Sequence, residues 1–125
     1  MHEMGIISGV LDAVNASARD AGATRVLVVN LRIGVMTEAI EDALEFAFEA
    51  LSEGTPCEGA ELAIDWVQPK SVCLACAHEF VHDRFHRSCP ACSSYETALL
   101  AGRELEIASI EVDLPDDQDD AGNLS

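Results

Sequence analysis

Cys73-Leu74-Ala75-Cys76, twelve residues, then Cys89-Pro90-Ala91-Cys92: these two short stretches decide how the chain is read. Each Cys-x-x-Cys forms a tight knuckle that aims two thiolates at one point. Two knuckles complete a tetrahedron of soft ligands, with Zn–S distances of about 2.3 Å. Two rivals stand beside zinc. A redox dithiol needs only one Cys-x-x-Cys, ideally at a helix start. An iron–sulfur cluster also accepts four thiolates. A catalytic zinc keeps one position open for water, and four thiolates leave none, so the expected ion is structural Zn(II).

The surrounding segment, 70–97, is poor in aliphatics and holds four of the five cysteines and three of the four histidines. Such a segment cannot fold on burial alone, so metal binding has to supply much of its folding free energy. His78, His82 and His86 recur at spacing four. On a helix they would share one face and offer a secondary metal site. In a ribbon loop they scatter as exposed histidines, which is the plainer reading. Cys57 lies sixteen residues from the nearest knuckle and reads as a lone thiol.

Outward from this segment the pattern becomes regular. Residues 4–21 place Ile7, Val10, Leu11, Val14 and Ala18 at the helical period, and Gly22 ends the helix. Residues 25–33 read as a strand with Leu27, Val29, Leu31 and Ile33 on one face. A second helix is expected over 38–52, with Thr37 as its N-cap and Ile40, Leu44, Ala47, Phe48 and Leu51 as its buried stripe. Leu62, Ile64 and Trp66 alternate through a second strand, 61–68. A third strand begins at Glu104 and runs through Ile110 and Val112. The expected class is α+β: a small three-stranded sheet with two helices and an inserted four-cysteine, zinc-ribbon-like domain. The main domain takes 1–69 and 98–113, the zinc domain 70–97, and an acidic, disordered tail 114–125.

Seven basic and 23 acidic residues give a net charge of −16. That argues against nucleic acid, which is bound largely through Lys and Arg. No apolar run reaches the roughly 18 to 20 residues of a membrane span. The first residues lack the basic start of a signal peptide, so a cytoplasmic protein is expected.

Met1-His2-Glu3 is an unusual opening. An α-amine, the His2 backbone nitrogen and the His2 imidazole can close fused chelate rings on one cation. Planar nitrogen donors suit Ni(II) or Cu(II), and Glu3 can add an oxygen or its backbone nitrogen. Taken alone, a histidine at position 2 is more often a solvated residue.

Met1-His2-Glu3-Met4, Leu31-Arg32-Ile33-Gly34, Glu45-Phe46-Ala47-Phe48, the two knuckles and Gly102-Arg103-Glu104-Leu105 all lie within residues 1–113. Together these stretches resemble HypA, the nickel metallochaperone family of [NiFe] hydrogenase maturation. The resemblance implies transferable Ni(II) at His2, with Met1 and Glu3 beside it, and zinc at Cys73, Cys76, Cys89 and Cys92. It implies no enzymatic activity. The implied partners are a HypB-type nickel GTPase and the [NiFe] hydrogenase large-subunit precursor. Some members serve urease, which adds urease maturation proteins. Many members carry Gly after the second knuckle. Here Ser93 stands there, and a different turn is expected. The zinc motif by itself also allows a protein–protein interaction module without nickel transfer.

Overall fold

The computed structural model describes residues 3–114; Met1, His2 and residues 115–125, which hold nearly all of the acidic tail, lie outside them. Helix α1 runs over Glu3–Asp20 and buries Ile7, Val10, Leu11, Val14, Asn15 and Ala18. Its end is closed by paired hydrogen bonds, Ala23 N–H to Ala18 O at 2.9 Å and Gly22 N–H to Arg19 O at 3.0 Å. Gly22 takes φ 76°, the left-handed conformation this closure requires.

Strand β1 (Arg25–Gly34) comes next. Val29, Leu31 and Ile33 are buried on alternate positions as expected, but Leu27 is 39% exposed and Val26 is buried in its place. The alternation slips by one residue near the strand's start.

The second helix begins later than the sequence suggests. A single 3-10 turn occupies Val35–Thr37, and Glu38 takes φ 63°. Thr37 donates its hydroxyl to Gly34 O at 2.8 Å and is not the helix cap. Helix α2 then spans Glu41–Ser52 with Ile40 at the N-cap, a residue with no side-chain acceptor. The acceptor comes from far along the chain: Glu3 Oε2 takes the Ile40 N–H at 3.0 Å. A carboxylate there also meets the positive end of the helix. Leu44, Ala47 and Phe48 form the buried stripe, whereas Ile40 and Leu51 are exposed. Both lie at the helix ends, where the stripe turns toward solvent.

Strands β2 (Glu61–Val67), β3 (Lys70–Cys73), β4 (Glu79–Val81), β5 (Thr97–Ala101) and β6 (Leu105–Asp113) complete the chain. They form two three-stranded sheets, ordered β2-β1-β6 and β4-β3-β5. The first is the expected sheet. In the second, β3 is the centre, pairing antiparallel with β4 at Ser71↔Phe80. It pairs with β5 at Val72↔Ala98, with a register shift between Lys70 and Ser71.

By contacts the described residues divide into two compact units, one of 3–31, 39–63 and 107–114, the other of 32–38 and 64–106. Within the first, α1 and α2 pack on each other. Ile7, Val14, Val26, Val29, Leu31 and Leu44 are among its largest fully buried side chains. Cys57 is fully buried there and donates its thiol to Asn15 Oδ1 at 3.3 Å. Burial pushes that thiol up from its ordinary pKa.

Within the second unit, Arg32 pairs with Asp65 at 3.5 Å and with Glu106 at 3.4 Å, linking β1 to the strands on either side. The chain also crosses itself closely at two glycines. Gly34 donates its N–H to Glu104 O, and Met36 to Gly102 O, both at 2.8 Å. Cys73, Phe80 and Cys89 form a small buried cluster of their own.

Candidate metal centre

The two knuckles are built alike. Cys73 ends β3; its N–H goes to His78 O at 2.8 Å, and Ala77 N–H returns to Cys73 O at 2.7 Å. Cys89 repeats both bonds, with N–H to Ser94 O at 2.8 Å and Ser93 N–H to Cys89 O at 2.7 Å. The residue after each second cysteine is left-handed: Ala77 and Ser93 both take φ 66°. Ser93 therefore keeps the turn that glycine would make, and the different turn expected from the substitution is not there. The equal spacing of the two motifs is the signal that could have shown it.

These turns bring four sulfurs together. Cys73 Sγ–Cys92 Sγ and Cys76 Sγ–Cys89 Sγ are each 3.6 Å apart. All four sulfurs lie within 4.8 Å of one another. A tetrahedron with Zn–S of about 2.3 Å has edges of about 3.8 Å, so the cluster has the size of a zinc site. All are free cysteines, with Cys73 and Cys89 buried and Cys76 and Cys92 exposed. Ala91 N–H also reaches Cys89 Sγ at 3.3 Å.

Proton sharing within the cluster makes the same point. Burial raises Cys73, but N–H groups of Cys76 and Ala75 and the Cys92 thiol outweigh it and bring the pKa to about 7. At Cys76 the His78 N–H lowers the pKa, yet the Cys89 thiol, burial and the Cys73 thiol push it up to about 12. Cys92 is also raised: the Ser94 N–H works against this, and the Cys73 thiol and burial prevail. Without a cation the set cannot hold four thiolates. A divalent soft ion would supply the missing charge, and a closed four-thiolate set would leave it no open position.

The three loop histidines do not converge. Among the described residues the four cysteines are the only group of three or more His, Cys, Asp or Glu that could hold an ion. His82 Nε2 is hydrogen-bonded to Ser71 Oγ at 2.8 Å, and its ring packs on Phe80 with centroids 5.4 Å apart. His78 stacks near the same ring at 6.1 Å. His86 Nδ1 lies 2.8 Å from Asp83 Oδ2. Asp83 also accepts the N–H groups of Phe85 and His86, which fixes the turn. These bonds hold Asp83 below the usual carboxylate range, the His86 side chain first among them. Asp83 and Ser71 were not singled out in the sequence, because nothing local marks them as imidazole partners.

Of the expected nickel residues, Met1 and His2 lie outside the described residues, and Glu3 opens α1 with its carboxylate on Ile40 N–H.

Comparison with known proteins gives one answer. Residues 1–112 match the family model described as "Hydrogenase/urease nickel incorporation, metallochaperone, hypA". A hydrogenase maturation factor HypA of Desulfitobacterium hafniense is 40% identical over 113 residues, 90% of this chain and 99% of that protein. One from Geobacter metallireducens is 39% identical over 113 residues, 90% of this chain and 100% of that protein. In fold, the chain is similar to the solution structure of the Ni metallochaperone HypA from Helicobacter pylori. The TM-score is 0.66 at 24% identity, over 91% of this chain and 99% of that one. A second HypA solution structure gives 0.68 at 24%, over 90% and 96%. The chain belongs to the HypA family of hydrogenase and urease nickel-incorporation metallochaperones.

Proposed function

We propose that this protein carries Ni(II) as cargo at its amino terminus and delivers it to the [NiFe] hydrogenase large-subunit precursor, with Zn(II) held permanently by Cys73, Cys76, Cys89 and Cys92. The observation that carries the reading is the family match from residue 1, which includes Met1-His2-Glu3. The closed four-sulfur cluster supports it from the other side. A cargo ion needs donors that exchange one at a time, and four convergent thiolates with no open position favour retention instead.

The proposed nickel donors are the imidazole and backbone nitrogen of His2, and the α-amine of Met1 where Met1 is the first residue. Nitrogen donors in a plane suit Ni(II). Glu3 is assigned a supporting part. Its Oε2 is engaged by Ile40 N–H, which favours anchoring the start of α1 over donating to the ion. In this reading the protein is cytoplasmic and not an enzyme. Its partners are a HypB-type GTPase and the large-subunit precursor, with urease maturation proteins as the second client set. Among the described residues no helix is long and apolar enough to cross a membrane.

The test is transfer. Nickel-loaded protein is mixed with purified large-subunit precursor and the GTPase, and nickel in the re-isolated precursor is measured. Wild type should load it, and His2→Ala should not while keeping its zinc. Equal loading from His2→Ala, or from free nickel at the same concentration, contradicts delivery by this chain.

A further inference from the structure

Helix α2 carries a feature that neither metal site uses. A groove of about 880 Å³ runs beside its C-terminal half, bounded by the turn after the helix and the start of β2. Glu45 and Glu49 line it from the helix and Glu53 from the C-cap position just after it, at spacing four, and Glu58 and Glu61 line it from the other side. Between the charges lies apolar surface from Leu62 and Phe48, while Phe46, also on the lining, is 69% exposed.

This arrangement works against the isolated helix. Like charges at spacing four repel. Glu49 and Glu53 sit toward the negative end of the helix dipole, and the last turn has no basic residue. Among the described residues no Lys or Arg forms an ion pair with any of the five glutamates. An exposed phenylalanine beside them adds unburied apolar area. Glu58 Oε1 accepts the Gly54 N–H at 3.1 Å and so holds the turn, but for the other four glutamates stability alone does not ask for this combination. A cationic, partly apolar occupant would relieve both terms together.

We propose that this groove docks a basic amphipathic segment of a partner protein, with Lys or Arg side chains against the glutamates and an aliphatic or aromatic side chain against Phe46 and Leu62. The volume lies within the range of about 300–1,000 Å³ of sites that enclose several groups at once. Charge complementarity selects the occupant. Anionic lipid surfaces, nucleic acids and a second copy of this chain, itself at −16, are repelled. The groove shares no residue with the cysteine cluster or with Met1-His2-Glu3, so this proposal stands apart from nickel transfer.

The test uses zinc-loaded full chain and a short amphipathic helical peptide of Leu and Lys, followed by amide chemical shifts and by fluorescence anisotropy. Shifts should concentrate over 45–62. The same peptide with Glu in place of Lys, or Ser in place of Leu, should bind at least about tenfold more weakly. Glu45→Gln/Glu49→Gln and Phe46→Ala should each weaken binding by about tenfold. Glu111→Gln/Asp113→Gln removes the same charge from β6 and should change binding by less than about twofold. All these side chains are exposed, so unchanged circular dichroism and zinc content establish that each variant is folded. Equal losses in the two double variants, or shifts spread over the whole chain, would show only non-specific charge attraction and overturn the proposal. Tighter binding of anionic vesicles or duplex DNA than of the Leu–Lys peptide would overturn it as well.

Discussion

Gly34→Ala should destabilise the protein severely, and the reason is space alone. Gly34 has φ −77° and ψ 142°, an extended backbone that alanine adopts freely. Yet a Cβ there would lie 2.0 Å from Gly102 C and O and 2.5 Å from Arg103 N. All three are backbone atoms, so no rotamer change relieves the clash. The two backbone segments must part by more than about 1 Å to reach ordinary contact. The bonds Gly34 N–H to Glu104 O and Met36 N–H to Gly102 O, both 2.8 Å, stitch the same crossing and would stretch together. Two lost hydrogen bonds at about 0.5–1.5 kcal/mol each, plus overpacking of about 1–3 kcal/mol, give about 4 kcal/mol. For a chain of this size that lowers Tm by about 15 °C. Gly9→Ala is the matched control. Gly9 lies inside α1, and a Cβ added there would meet nothing within 4 Å, so the same change should stabilise by about 0.5–1 kcal/mol. Urea unfolding followed by far-ultraviolet circular dichroism, at fixed excess zinc, reads both. If Gly34→Ala falls within about 1 kcal/mol of wild type, or Gly9→Ala loses as much, the steric reasoning fails.

The left-handed Ala77 and Ser93 each bear a penalty that glycine lacks. Ala77→Gly and Ser93→Gly should each stabilise the zinc-loaded form by about 1 kcal/mol without changing zinc content, as thermal unfolding will show. Cys57 should resist alkylation in the folded protein, since burial raises its pKa and no solvent reaches it. Cys57→Ala should cost about 1–3 kcal/mol by leaving Asn15 Oδ1 without its donor, with zinc content unchanged. Asp83 is held below its ordinary pKa, so its contribution is full above the unfolded value and is lost as pH falls through the folded one. The Asp83 carboxyl carbon signal should therefore titrate with its midpoint below the ordinary aspartate value of about 3.9. A midpoint at or above that value would contradict the Asp83 assignment.

The parts of this fold that local pattern controls were legible. The stripe of α1 and the run of β1 come from periodicity, and the four-sulfur cluster comes from two knuckles of equal spacing. The misread parts depend on distant residues. Thr37 looked like a cap because Ser and Thr are favoured just before a helix. The cap of α2 is instead Glu3, 37 positions away, and no local rule reaches that far. The sheet β4-β3-β5 was missed because β4 has only three residues and β3 four, too short for alternation to register. Strand β6 shows the limit of alternation from the other side. It is a strand as expected, but Leu105 is 45% exposed and Ile107 36%, so its apolar residues do not mark core. The histidines illustrate a further limit. Spacing four has meaning only on a helix, and this segment is strand and turn, so each imidazole finds its own partner.

The central claim divides two metals between two separate sites, the amino terminus and the four-cysteine cluster, and metal content per chain tests it most directly. Wild type with no added residue before Met1, His2→Ala and Cys89→Ser are loaded with nickel and zinc, desalted and analysed. The account predicts about one zinc and one nickel in wild type, zinc alone in His2→Ala, and loss of tightly held zinc in Cys89→Ser. Nickel retained by His2→Ala, or nickel displacing zinc from the four cysteines, would contradict it.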